Sequence, residues 1–595
     1  MFKFKISYVA LAAALTSTFV YAEPTSYTHQ SGTKIIDIEA PNAAGVSHNM
    51  YREFNVDNKG VILNNSGTNY SHSNFGNIAK NNNLANGSAS VILNEVISNK
   101  ASSLQGFIEV GGMRADVVIA NPNGITCSGC SFINTNKAVL TTGKVNLSDT
   151  GAIGSYTVTG GKITVDAYGM NAANSYAAIL ADAIQLNGTV TAANATLSGG
   201  NFTFDNATGR ITSAGKSATL LQTLIPEYSI DISKLGGVKA NNITMVGNNL
   251  GFGVRNKGAV VASTTLSMAT NGALVNEGAI TNNGYLTQLS SAGELKNSGT
   301  ISSAYIAALS TLKDLNNEGS IFSGNQMMVS AAGNINNKGS IKATNALAIT
   351  TNGDLNASYG SYLVSDNQLA VTALGNVDNG GTLSGKNTSV SFSGSSFKVT
   401  GNIAGSENLL IQSWKNNASS NGEISNAGVI SGGNVTIRTE GTLAQAADSR
   451  LYASNSLTTH SYWLNNAGFM GGDANLNIDT TVTHNYGHID GANVNLVTWL
   501  DLHNEGLIRS IYDMNLSTGA NGNIINRGNI IAWNNMTLTA NKVVNGGYGC
   551  GFLKLSTCGV GTLTANSLIL NSSHKYASNM GGTQNIKITE ANKIK

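Results

Sequence analysis

Asn256-Lys-Gly-Ala-Val260, Asn276-Glu-Gly-Ala-Ile280, Asn297-Ser-Gly-Thr-Ile301, Asn317-Glu-Gly-Ser-Ile321 and Asn337-Lys-Gly-Ser-Ile341 follow one another at intervals of 20 or 21 residues. Fainter copies stand at Asn379, Asn426 and Asn466, and the series is clear again at Asn504-Glu-Gly-Leu-Ile508 and Asn526-Arg-Gly-Asn-Ile530. A fixed period in the low twenties marks a solenoid. Leucine-rich repeats share that period, but their spaced leucines are missing. Between the Asn-x-Gly marks lie alternating segments such as Leu347-Ala-Ile-Thr350 and Val435-Thr-Ile-Arg438, without helical periodicity. Each period therefore supplies two or three short strands with Gly and Asn at the corners, one coil of a parallel β-helix. The expected fold is all-β, a right-handed parallel β-helix throughout, capped by the N-terminal domain.

The coil explains its own composition. Leu, Ile, Val and Ala at inward positions stack on their equivalents one strand spacing away. Glycine is expected to take the positive φ of a corner. An Asn at the same corner of every coil forms a ladder of side-chain amide hydrogen bonds along the axis. Around 17 coils at about 4.8 Å would make the repeat region a rod on the order of 80 Å long. From 145 to 252 the β pattern is less regular: Ile163-Thr-Val-Asp166 and Ile184-Gln-Leu-Asn187 read as strands, and Ala172 to Ile184 reads as either a short helix or a strand. Phe202-Thr-Phe-Asp205 with Ala207-Thr-Gly-Arg210 reads as a hairpin outside the main helix.

One stretch stands apart, Ala120-Asn-Pro-Asn-Gly-Ile-Thr-Cys-Ser-Gly-Cys-Ser-Phe-Ile-Asn134. Pro122 fixes φ and removes a donor, so a regular ladder breaks there. Asn123-Gly124 tolerates positive φ. Val117-Val-Ile119 and Phe132-Ile133 read as strands on either side, giving a rigid turn beside a tight Cys-x-x-Cys pair.

This stretch resembles the N-terminal secretion domain of two-partner secretion exoproteins, the filamentous haemagglutinin, haemolysin and contact-dependent inhibition proteins of Gram-negative bacteria. The similarity extends through Ile36-Asp-Ile38, Ser47-His-Asn49, Phe54-Asn-Val56 and Val91-Ile-Leu-Asn-Glu-Val96, and on to Phe132-Ile-Asn-Thr135 and Leu140-Thr-Thr-Gly143, covering roughly the first 250 residues. A second family motif, Asn-Pro-Asn-Leu, is matched by Asn81-Asn82-Asn83-Leu84, with Asn82 in place of the proline. The resemblance implies that Asn81, Asn83, Leu84, Asn121, Pro122, Asn123, Gly124 and Ile125 belong to the motifs needed for export by a dedicated outer-membrane TpsB transporter. It is equally compatible with these residues capping turns of the β-helix.

The start of the chain agrees with export. Lys3 and Lys5 precede an apolar run from Ile6 to Leu15, and Val20-Tyr-Ala22 offers a cleavage site before Glu23. No later segment reaches the roughly 20 apolar residues of a membrane-spanning helix. Net charge of +2 leaves no nucleic-acid footprint. Abundant Gly and Asn would suit disorder, but 41% hydrophobic residues indicate a chain that buries a core. In an exported protein the local pairs Cys127 with Cys130 and Cys550 with Cys558 read as structural disulfides. They stand too far apart along the chain to suggest one zinc site.

Catalytic signatures are lacking: there is no Gly-x-Ser-x-Gly, His-Glu-x-x-His or phosphate loop. No cofactor, no metal and no enzymatic activity are expected. His484 and His503 precede corner asparagines of neighbouring repeats and would stack about 5 Å apart, as polar corner residues or as a metal-sharing pair. The expected layout is a signal peptide at 1–22, a secretion domain with β-helix extension at 23–252, repeats at 253–547 and a C-terminal segment at 548–595. The function expected is that of a haemagglutinin-like adhesin, secreted or surface-exposed, with a receptor on a host or neighbouring cell. Its alternatives are a haemolysin of the same family and the truncated stem of a contact-dependent inhibition protein.

Overall fold

A computed structural model describes residues 23–212, 215–217, 228–414, 422–546 and 561–572, and the backbone of 585–588. The expected signal peptide and the Cys550/Cys558 pair lie outside these residues. The chain winds into a parallel β-solenoid whose coil has three faces. In the coil from 295 to 311 these are Leu295–Asn297, Thr300–Ser303 and Ile306–Thr311. Each pairs in parallel with its counterpart one coil earlier and one coil later. Ala172 to Ile184 is strand on both sides of Asp182, not helix, because its alternating Ala and apolar residues stack in register on Thr135–Thr141 and Thr189–Gly199.

The core is a set of stacked columns. Leu274, Leu295, Leu315 and Ile335 form one, and Ile280, Ile301, Ile321 and Ile341 another, all buried and in direct register. Each such side chain contributes about 2 kcal/mol by leaving water. Every coil therefore needs its neighbours to cover its apolar layer, and stability is additive along the axis.

One column of the short-strand face runs the length of the solenoid in single register. It passes from Val56 through Leu104, Cys127, Val165, Leu186 and Ile232, changes to Asn256, and continues to Asn545. The asparagines at 256, 276, 297, 317 and 337, and again at 466, 485, 504, 526 and 545, are buried. Within both runs each donates its amide to the next coil: Asn256, Asn276, Asn297 and Asn317 to the Oδ1 one coil on at 2.8 Å, Asn466, Asn485, Asn504 and Asn526 likewise at 2.7 Å, Asn337 to the Tyr362 carbonyl at 3.0 Å and Asn545 to the Gly561 carbonyl. The amide ladder is thus present, with Ala357 and Val399 as apolar rungs that interrupt it. From Asn256 to Asn545 the column has 15 rungs rather than about 17. Coils are not uniformly 20 residues: the one from Val399 to Asn426 takes 27. The whole column, 21 rungs, spans roughly 95 Å.

The repeat glycines work differently from the expectation. Gly278, Gly299, Gly319 and Gly339 do not have positive φ. A Cβ on Gly319 would instead lie 2.0 Å from the Gly299 carbonyl oxygen, and the same holds coil after coil. The Asn-x-Gly corner is kept free of side chain because successive backbones nest there. Gly319→Ala is therefore expected to destabilise the rod by about 2 kcal/mol through forced coil separation. A lowered denaturation midpoint with unchanged m-value would show it, and a wild-type midpoint would refute the nesting.

The N-terminal region carries extra layers. Lys144–Leu147, Ile153–Val158 and Phe202–Asp205 form an antiparallel sheet. Its Tyr156, Phe202 and Phe204 bury Leu93, Val118 and Val139 on the long-strand face of the solenoid. Phe204 bridges to Ile211, so the expected hairpin exists and lies outside the helix. Tyr70–His72 and Gly76–Ile78 make a second hairpin over Ile35 and Ile62. Sequence periodicity is broken here because outward positions are also buried, so apolar residues occupy both sides of each strand.

Candidate functional site

The two motifs singled out in the sequence fold into the same device. Asn121 is fully buried at the end of Ala115–Ala120. Its Oδ1 accepts from the Asn123 N–H at 3.0 Å, and its Nδ2 donates to the Lys100 carbonyl at 2.9 Å and to Ser102 Oγ at 3.0 Å. The Gly124 N–H closes the turn on the Asn121 carbonyl, and Asn123 Nδ2 reaches the Ser98 carbonyl at 2.7 Å. Gly124 has φ +110°, which explains its identity. Ile125 then enters the core, paired with Ser102 and Ile163.

Asn81 repeats the pattern. Its Oδ1 caps the Asn83 N–H at 2.9 Å at the start of the 3₁₀ turn Asn82–Leu84. Its Nδ2 donates to the carbonyls of Ile38 and Asn64, and Asn83 Nδ2 also donates to the Ile38 carbonyl. Leu84 fills the core. In each motif the first Asn is a buried clasp between coils, the third residue an exposed second clasp, and the last an apolar plug. Asn82 stands exposed where Pro122 stands in the second motif, so the missing proline alters a solvent position only. Nearby, burial raises the Asp37 carboxyl above its usual range, opposed by the 2.7 Å hydrogen bond from Asn64.

Cys127 and Cys130 are disulfide-bonded and buried in the core immediately after this turn. Cys127 occupies the inward column that later carries asparagine, so the bridge pins a corner of the fold and has no access to a substrate.

Further buried amides escaped the sequence reading. Asn49 Oδ1 accepts from the Glu39 N–H and its Nδ2 donates to the Leu93 carbonyl, while Asn65 Nδ2 donates to the carbonyls of Ala89 and Met113. Asn64 and Asn94 close identical tetrapeptides, Val61-Ile-Leu-Asn64 and Val91-Ile-Leu-Asn94, and that repetition was the available signal. His484 and His503 are neighbours as expected but meet edge to face, with ring centroids 4.8 Å apart and planes at 61°. Burial, then the His484 charge, holds the His503 imidazole below its ordinary pKa. Among the described residues no group of three His, Cys, Asp or Glu side chains is placed to hold a metal ion.

Comparison with known proteins gives this arrangement its context. The family model described as the TPS secretion domain matches residues 16–286, the segment that contains both motifs and the outer sheets. Toxin CdiA of Yersinia pestis is 39% identical over 257 residues, 43% of this chain and 8% of that protein. The tRNA nuclease CdiA of Yersinia mollaretii is 40% identical over 227 residues, 38% of this chain and 7% of that protein.

The chain is a two-partner secretion exoprotein.

It is exported, and presented on or released from the Gram-negative cell surface. Its TPS domain implies a TpsB outer-membrane transporter as partner. The crystal structure of a filamentous hemagglutinin secretion domain is also similar, at 30% identity with a TM-score of 0.42, covering 51% of this exoprotein and 98% of that chain. The match to each of the two CdiA relatives spans less than a tenth of that relative's own length.

Proposed function

We propose that this exoprotein is a haemagglutinin-like adhesin that acts by binding a receptor on a host or neighbouring cell, without catalysis. The observation that carries the reading is the single uninterrupted column from Val56 to Asn545, which makes the transporter-read domain and the repeats one rod. Such a rod holds its far coils away from the end engaged by the transporter. Secretion is proposed to proceed coil by coil: each emerging coil buries apolar surface on the last, biasing the chain outward. Asn81 and Asn121 act within the fold, while Pro122, Asn123 and Asn83 are the exposed parts of the motifs open to the transporter.

A second reading, the stem of a contact-dependent inhibition protein, is favoured by the similarity to CdiA toxins. Washed red cells and competitor bacteria exposed to the protein, secreted through its transporter, separate the readings. Agglutination without haemoglobin release is expected. Haemoglobin release would overturn the adhesin reading in favour of a cytolysin, and attachment to competitor bacteria without agglutination of red cells would favour the stem.

A further inference from the structure

The long-strand face is covered near the N-terminus by the outer sheet and open farther along. In the covered part its outward residues are apolar, as at Leu93, Val118 and Val139. In the distal coils the same face comprises the second half of Val429–Arg438, the middle of Arg450–Asn466, the first half of Asn475–Asn485, and then Asn493–Thr498, Met514–Thr518 and Asn535–Ala540. Most of its outward positions here are amides and hydroxyls, beside a second column that runs Arg438, His460, Asp479, Val497, Ser517, Thr539. One column runs Thr436, Thr458, Asn477, Asn495, Asn515, Thr537 in direct register. Open concavities along this face share Arg438 in one case and Asn477 and Asn495 in the other, so they form one continuous shallow groove parallel to the axis.

The groove is a ladder of half-used amides. Asn493 Nδ2 donates to Asn475 Oδ1 at 2.7 Å, and Asn515 Nδ2 to Asn495 Oδ1 at 2.9 Å. Each link consumes one amide hydrogen and one oxygen lone pair, leaving the second of each for a ligand. Aromatic side chains stand in the turns at both edges. Trp499 follows the face's strand on one side and is 66% exposed; Tyr512 and Trp533 precede it on the other, at 57% and 60%. Exposed rings in this density mark a recognition surface.

The chemistry of the occupant follows. The charged groups along the groove are one cation, Arg438, and three carboxylates, Glu440, Asp479 and Asp513, with His460 between Arg438 and Asp479; this net negative lining repels a polyanion. A peptide strand finds no free edge, since each strand of the face is paired with the coils before and after it. A sugar hydroxyl is donor and acceptor together, as each rung requires. The C–H face of a pyranose suits the flat ring of Trp, whose body is apolar. A pyranose in an extended chain advances by roughly one coil spacing, about 4.8 Å, so successive units meet successive rungs.

We propose that this face, from Thr436 to Thr537, binds an extended uncharged oligosaccharide laid along the solenoid axis between the edge aromatics. The proposal deepens the adhesin reading and rests on it, by assigning the receptor's chemical class.

The test uses the full secreted chain and a panel of uncharged hexasaccharides: β-1,4-glucan, β-1,3-glucan, α-mannan and β-galactan. Tryptophan fluorescence is titrated on wild type, Trp499→Ala and Trp533→Ala, solvent-exposed substitutions whose folding is checked by circular dichroism. The expected result is saturable binding of at least one hexasaccharide, tighter than its trisaccharide, weakened about tenfold by each substitution. Failure of the whole panel overturns the proposal, as does binding indifferent to both substitutions or confined to a heparin hexasaccharide or an oligonucleotide. Cell agglutination, measured in parallel, keeps the two readings distinguishable. Agglutination that persists in both variants sinks the groove and leaves the adhesin standing; loss of agglutination in the wild type with retained glycan binding does the reverse.

Discussion

Asn121→Ala is expected to cost about 3 kcal/mol of stability in the N-terminal domain and to lower the secreted amount roughly tenfold or more. The side chain it removes is fully buried and joins its own turn to the Lys100–Ser102 segment of the preceding coil. Its loss strands the Asn123 N–H, the Lys100 carbonyl and the Ser102 hydroxyl at once. Asn121 and Ser102 are both buried, so water does not readily replace the bond between them. The turn that Gly124 and Pro122 shape would then lose its anchor to the preceding coil. Asn121→Asp would retain the bond from the Asn123 N–H but lose both donations, and should fall between wild type and alanine. Guanidinium unfolding of the purified protein, alongside immunoblots of culture medium, measures both effects. An unchanged midpoint would remove the structural account of this motif.

Asn485→Ala should cost about as much, but elsewhere. Asn485 receives a hydrogen bond from Asn466 and gives one to Asn504, each 2.7 Å, in a buried column. Deleting it leaves Asn504 Oδ1 without its donor and opens a cavity at the centre of a coil. The expected loss is about 3 kcal/mol, confined to neighbouring coils because each coil contacts only the next. Limited proteolysis should therefore produce a new cleavage near residues 485–510 while the N-terminal coils stay intact. Global loss of resistance would contradict one-dimensional stability, and no change at all would contradict the ladder. The natural apolar rungs at Ala357 and Val399 show that a gap is survivable; beside the first, Asn379 Oδ1 is left without a partner.

Much of this fold is legible in the sequence because the coil repeats one physical problem. Asn-x-Gly followed by an apolar β-branched residue marks the corner, and its spacing gives the solenoid and the Asn ladder before any coordinate is seen. The purpose of the glycine is less legible, since a residue without a side chain serves equally for positive φ and for close approach. Only the neighbouring backbone, at Gly299 for Gly319, distinguishes them. Rung number fails for a related reason: the 27-residue coil ending at Asn426 carries its insertion without any mark of period. The buried clasps at Asn49 and Asn65 lie where two layers cover one strand, so no alternation of polar and apolar residues betrays them. The secretion motifs are found by their residues, but the burial of Asn81 and Asn121 beside the exposure of Pro122 and Asn123 is a property of the fold alone.

The central claim is that the motif asparagines act by holding coils together, within a domain that folds as part of the rod. The most direct measurement pairs export and folding in one variant. Asn121→Ala is expressed with its TpsB transporter, its surface and medium fractions are quantified, and the same chain is refolded from denaturant and challenged with protease. The account predicts that export and protease resistance fall together. A variant that refolds to wild-type resistance and midpoint, yet is not exported, would show that Asn121 is read directly by the transporter, and would contradict it.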